Sequence, residues 1–122
     1  MAQADPPIAT VAVAPTLTTI FSMDVRALGL VTVQIQNMDA TQTFSGYVRR
    51  SAVVAGLTSA PSSMPDFLGI APAGSLDANG NPTDVVVADI DVEGSGLLSI
   101  VGFMSGAGGN VQYTARKAGP KR

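Results

Sequence analysis

Asp89, Asp91 and Glu93 alternate along the run Asp89-Ile-Asp-Val-Glu93. Side chains two apart on a strand share a face. Carboxylates gathered in that way can divide general-acid and general-base work. Here the run ends at once in Gly94-Ser-Gly96, and Asp91 opens a turn. The three therefore read as solvated charge at a strand end. A second constellation, Asp77-Ala-Asn-Gly-Asn-Pro-Thr-Asp84, sets oxygen-bearing side chains at 77, 79 and 81, as calcium loops do. A proline stands where an EF-hand loop needs glycine, and no glutamate closes it. Asn79-Gly80 is also a strong turn dipeptide, so the segment reads as a turn. The glycine-rich runs 94–96 and 106–109 would hold phosphate only at the head of a helix. Strands follow them instead, and both read as hairpin turns.

The chain contains no Cys, no His and no Trp. That removes disulfides, thiolate or imidazole metal sites, and any Ser-His or Cys-His nucleophile pair. The expectation is a protein without catalytic machinery, cofactor or metal. The net charge is −2 and the charged fraction 13%, about half the usual ~25%. Mean hydropathy is positive. So sparse a charge suggests that part of the surface is covered by partners. No global field draws the chain to nucleic acid. Four of the seven basic residues, Arg116, Lys117, Lys121 and Arg122, fall in the last seven positions and read as a solvated tail. No run approaches the ~18 apolar residues of a membrane span. Met1–Pro7 carries no positive leader, and the expected site of synthesis is the cytoplasm of the producing cell.

These residues must be positioned by strands. Short runs of alternating character are broken by Gly, Pro, Asn and Asp throughout. Candidate strands are Ile8–Val13, Leu17–Met23, Leu30–Gln36, Phe44–Arg50, Phe67–Ile70, Asp84–Asp91, Leu97–Phe103 and Asn110–Arg116. In the third, Val31, Val33 and Ile35 face one way and Thr32, Gln34 and Gln36 the other. The only stretch near a helical period, Ser51–Leu57, is too short to stand alone.

Sliding the chain by 67 positions lays residues 15–50 on 82–117 without a gap. Pro15 meets Pro82, Asp24-Val25 meets Asp91-Val92, Gly29-Leu30 meets Gly96-Leu97, and Arg49-Arg50 meets Arg116-Lys117. Each unit reads as a strand, a turn opened by Asp-Val, and a hairpin. The aspartate is expected to bond turn amides, the valine to plug the core, and Gly29 and Gly96 to adopt a conformation other residues resist. Two such units facing each other give an all-β domain. It is a β-sandwich or jelly-roll of seven to eight strands with pseudo-twofold symmetry. Its parts are an arm and candidate first strand over 1–14, a single domain over 15–117 with connector 51–81, and a basic tail over 118–122. The copies differ at outward positions, which are Thr32, Gln34 and Gln36 in one but Ser99, Val101 and Phe103 in the other. The second copy is thus apolar on both faces, and its outer face is expected to be covered, either by the connector or by another chain.

The run Met23-Asp-Val-Arg-Ala-Leu-Gly-Leu-Val-Thr-Val-Gln-Ile-Gln-Asn37 resembles a segment common in small virion proteins of tailed phages, in which an Asp-Val turn leads to an alternating strand ending in Asn. Ile90–Phe103 is a looser second copy. The resemblance covers 15–50 and 82–117. It implies an oligomeric β-sandwich that coats a capsid or sits in a tail, and it supplies no functional residues. The expectation is a capsid decoration or cement protein. It would bind the major capsid protein on the virion surface after assembly in the host cytoplasm, as a homo-oligomer (dimer or trimer). The alternatives are a tail or baseplate component and a non-enzymatic glycan-binding module. The scarcity of aromatic residues argues against the last. The expected contact residues are Ile8, Val11, Phe67, Leu68 and Ile70, with the repeat-matched pairs Arg49, Arg50 and Arg116, Lys117.

Overall fold

Alternation decides the fold because each strand can bury only one face. A computed structural model of the chain describes residues 6–51, 66–74, 79 and 84–119. The Ser51–Leu57 stretch beyond its first residue, most of the connector, the calcium-like loop apart from Asn79 and Asp84, and the chain ends lie outside the described residues. Eight strands run β1 (Ala9–Val13), β2 (Thr18–Asp24), β3 (Leu30–Asn37), β4 (Phe44–Ser51), β5 (Asp66–Ala71), β6 (Val85–Asp91), β7 (Leu97–Met104) and β8 (Gly109–Ala118). All eight candidate strands are found, with ends shifted by no more than a residue or two. Two four-stranded antiparallel sheets have the orders β1-β8-β3-β6 and β2-β7-β4-β5. This interleaved order is that of a jelly-roll rather than an immunoglobulin-like sandwich.

The repeat survives in three dimensions. A shift of 67 carries β2 onto β6 and β3 onto β7 residue for residue, and β4 onto the last eight residues of β8. It also converts one sheet order into the other, with β1 and β5 as counterparts. The backbone bonds repeat too. Val25 N–H donates to the Gly96 carbonyl as Val92 N–H does to that of Gly29 (2.9 and 3.0 Å). Gly29 N–H donates to Ala118 as Gly96 N–H does to Ser51, and Met38 N–H to Asn110 as Ser105 N–H does to Thr43. The Asp24 carboxylate accepts from Arg26 N–H and that of Asp91 from Glu93 N–H, each at 3.0 Å. Val25 and Val92 are both wholly buried, plugging one end of the core as their spacing suggests.

Two expectations require correction. The units contain no β3–β4 or β7–β8 hairpin. Each of those strand pairs crosses from one sheet to the other, so β3 lies between β6 and β8, and β7 between β2 and β4. The units therefore interlock instead of facing each other, because a strand that inserts between two of the other copy satisfies both its edges. Gly29 and Gly96 are also not in the left-handed region. Among the described residues only Gly94 and Gly108 have positive φ. Gly29 and Gly96 are buried where the two turns lock together, and small size is what those positions need.

The core lies between the sheets. Val31, Val33 and Ile35 of β3 meet Leu98, Ile100 and Met104 of β7, with Phe44 and Val111 beside them. A bulge at Ile20 lets adjacent residues Ile20 and Phe21 both contact this core, and a second bulge in β5 falls at Leu68, which packs against the core.

Candidate docking surface

The two outer faces are built from equivalent positions but differ in chemistry. On the β1-β8-β3-β6 sheet, outward positions carry Thr32, Gln34, Gln36, Gln112, Thr114 and Arg116 in cross-strand register. Thr32 donates to Asp89 at 2.7 Å. This face is polar apart from Val87 of β6, which lies beside Gln34 and is exposed.

The β2-β7-β4-β5 sheet is different. Its register aligns Phe67, Tyr47 and Val101 in one row, and Ile70, Ser45 and Phe103 in the next. The Tyr47 ring stands edge-on to Phe67 with centroids 5.7 Å apart, and stacks on Phe103 at 6.0 Å. Phe67 is 62% exposed and Ile70 54%. Val101 is buried although its side chain is on the outer side, with Tyr47 and Thr19 as its cross-strand neighbours. The next row, Arg49-Ser99-Ser22, is polar, and Ser22 and Ser99 share a 2.8 Å hydroxyl bond. The bulge at Leu68 lets Phe67 and Ile70, three residues apart, share the outer face in register with Tyr47 and Ser45, whereas Phe67 and Leu68 point opposite ways. One is presented to solvent, while the other packs against the core.

The expected contact residues do not form one cluster. Phe67 and Ile70 lie on the aromatic face with Arg49. Arg50 sits at the same edge of the sandwich, where it donates to the Asp91 carbonyl at 3.0 Å and to the Asp66 carboxylate at 3.2 Å. Ile8 is 69% exposed beside β1 at the opposite edge, while Val11 packs on the core. Arg116 is on the polar face and Lys117 is exposed next to it. The repeat-matched Arg49 and Arg116 thus occupy opposite outer faces. Tyr47 and Phe103 were missed. The sequence holds only six aromatics, and that count hid the register that brings three of them together. The signal was present in the alternation, since Tyr47 and Phe103 both fall at outward positions.

Polar order is concentrated at the loop end of the sandwich. The Asn37 amide, 1% exposed, donates to the carbonyls of Gln42, Ala71 and Pro72 and accepts from Asp39 N–H. The Asp39 carboxylate accepts from the N–H groups of Thr41 and Gln42 at 3.0 and 2.7 Å. Those bonds hold its pKa below the ordinary carboxylate value. Asp24 is held low chiefly by the Arg26 guanidinium. Asp84 accepts from Gln36. Among the described residues no group of three or more acidic side chains is arranged to hold a metal ion.

No protein-family model and no curated protein matches the chain. Solved structures do. The chain is similar to the surface-associated copper-binding protein CorA of Methylomicrobium album BG8, with TM-score 0.55, 9% identity, and coverage of 89% of this chain and 92% of that one. It is also similar to the pre-peptidase C-terminal domain of a Bacillus anthracis collagenase, with TM-score 0.52, 9% identity and coverage of 91% and 89%. The SPBc2 prophage-derived protein YomS aligns over 95% of this chain and 99% of its own at 10% identity, with TM-score 0.40. At 9% identity the likeness to CorA and to the collagenase domain is one of fold alone.

Proposed function

We propose that this chain is a non-enzymatic structural protein of a virus particle. In this reading it is a decoration or cement protein that docks on the major capsid protein at the shell surface, after assembly in the host cytoplasm. The observation that carries the reading is the aromatic face. Tyr47, Phe67, Ile70 and Phe103 gather on one outer face of a chain whose charged fraction is only 13%. Exposed apolar patches of this kind mark interaction surfaces, and aromatic anchors dominate interface energetics. Modest contacts repeated over a lattice add up, as a cement function requires. The resemblance of residues 23–37 to virion segments supports the same reading.

The test is to purify particles on a density gradient and quantify this chain against the main shell protein. Co-banding at a comparable copy number is expected, and Phe67→Asp with Ile70→Asp should abolish it while leaving the fold intact. A few copies per particle would move the protein to the tail, and absence from the particle band would end the virion reading. A glycan-binding module is the second reading. It is favoured by the clustering of three rings beside Ser45 and Arg49, against the expectation from the low aromatic count. Saturable binding on a glycan array would support it.

A further inference from the structure

A cation on the aromatic face lacks a counter-charge. Arg26 pairs with Asp24, and Arg50 with Asp66 and the Asp91 carbonyl. Arg49 forms no ion pair among the described residues, and its Nε is buried with no hydrogen-bond partner. Buried polar groups nearly always find a partner, and a guanidinium offers five N–H donors in a fixed fork. Arg49 stands on the outer side of β4 two residues from Tyr47, so the two Cα atoms are about 7 Å apart. Its row-mates Ser99 and Ser22 are bonded to each other. A half-buried, partly desolvated cation thus borders the apolar patch formed by Tyr47, Phe67, Ile70 and Phe103.

We infer that the aromatic face docks a protein surface that sets a carboxylate beside an apolar cluster. Arg49 donates to the carboxylate, while Tyr47, Phe67, Ile70 and Phe103 cover the cluster. This rests on the reading of the face as a docking surface and adds the chemistry of what it meets. Charge complementarity selects the carboxylate, because a guanidinium is planar, always charged and matched to carboxylate geometry. Part of the desolvation that docking imposes on a cation has already occurred at Nε. A carboxylate therefore gains more here than from a fully hydrated arginine. Ile70 selects a protein over a sugar. An exposed isoleucine offers no ring face for a sugar to stack on, and it is stabilised only by apolar cover.

NMR titration of the isotope-labelled full chain with phenylacetate, a carboxylate joined to an apolar ring, tests this. Phenylacetate should shift the Arg49 Nε–H and the rings of Tyr47 and Phe103 saturably. The neutral phenylacetamide should bind at least about fivefold more weakly. Arg49→Met keeps the apolar stem and should remove that acid–amide difference. Its melting temperature should be unchanged or raised, since an unpartnered cation is lost. Phe67→Ser should weaken both probes alike. No saturable shift with phenylacetate, equal binding of acid and amide, or a difference that survives Arg49→Met would each overturn the inference. A clear loss of stability in Arg49→Met would do the same, by making the residue structural. So would binding of trigalacturonate at these residues without binding of phenylacetate, which would make the face a sugar site. Gradient-purified particles separate this from the virion reading. If wild type and Arg49→Glu co-band equally, the inference fails and that reading stands. If wild type does not co-band, that reading fails and the two probes still decide the inference.

Discussion

The two ends of the sandwich treat the duplication differently. At the Asp-Val end the copies are held alike, with Val25 and Val92, Asp24 and Asp91, and their backbone bonds matching under the shift. At the loop end they diverge in compensating pairs. Asp39 corresponds to Gly106 and Gln42 to Gly109, and the contacts cross over. A Cβ on Gly109 would lie 2.8 Å from the Asp39 carboxylate, and one on Gly106 would lie 2.9 Å from the Gln42 amide oxygen. Each glycine of the second copy leaves room for a polar side chain of the first. The core repeats the device. Gly46 and Gly102 of one sheet correspond to Tyr113 and Ile35 of the other, and the Phe44 ring fills the space above the two glycines. Backbone-dictated positions stay symmetric, whereas space-filling positions need only conserve the sum.

That contrast can be broken most severely at Phe44. Phe44→Ala should destabilise by about 3–5 kcal/mol, since the glycines beneath it offer no side chain to fill the void. Gly102→Ala should cost about 1–3 kcal/mol or more, because its Cβ would meet two Phe44 ring carbons at 2.5 Å and the Ser45 carbonyl oxygen at 2.6 Å. Combined, the two should cost less than their sum, since removing the ring relieves one clash and leaves the backbone one. Urea denaturation of the double-mutant cycle measures this, and strict additivity would refute the compensating-pair argument.

Asn37→Met comes next, giving the first copy the residue that the second has at Met104. The exchange conserves apolar bulk but strands the carbonyls of Gln42, Ala71 and Pro72 in a buried site. Loss of about 2–4 kcal/mol is expected. A neutral result would mean that the loop end tolerates symmetry after all. At the conserved end, Val25→Ala and Val92→Ala should each cost about 1–3 kcal/mol and agree within about 0.5 kcal/mol. A large disparity would show that the matching bonds do not carry matching loads.

Much of this fold was legible because its signals are local. Period-two alternation located every described strand, and the Asp-Val and Gly-Leu identities located the repeat. Sheet order was not legible. Which strand β3 joins depends on contacts with β6 and β8 that lie 49 to 88 residues away, and nothing within residues 15–50 distinguishes a hairpin from a crossing. The docking face was half legible. Phe67 and Ile70 stood out as an isolated apolar run, but Tyr47 and Phe103 join them only through cross-strand register. Asn37 looked like the end of a strand pattern. Its role comes from three carbonyls supplied by other parts of the chain.

The smallest expected effect concerns the charge at Asp39 and its pH dependence. Its carboxylate accepts two backbone N–H bonds in the folded protein and loses them on unfolding, so the folded pKa lies below the unfolded one. Stability from this group is therefore fully present above the unfolded value of ~3.9 and is lost as pH falls through the folded pKa. Asp39→Asn keeps an oxygen acceptor but removes the charge. Its melting temperature should trail wild type at neutral pH and converge with it in the acid range below ~pH 4. Gly106, the counterpart in the other copy, carries no titrating group, so Gly106→Ala should lower stability equally at both pH values. Parallel pH profiles for Asp39→Asn and wild type would show that the loop end is held by packing alone, and the distinction between its polar and glycine halves would then be one of volume, without a contribution from charge.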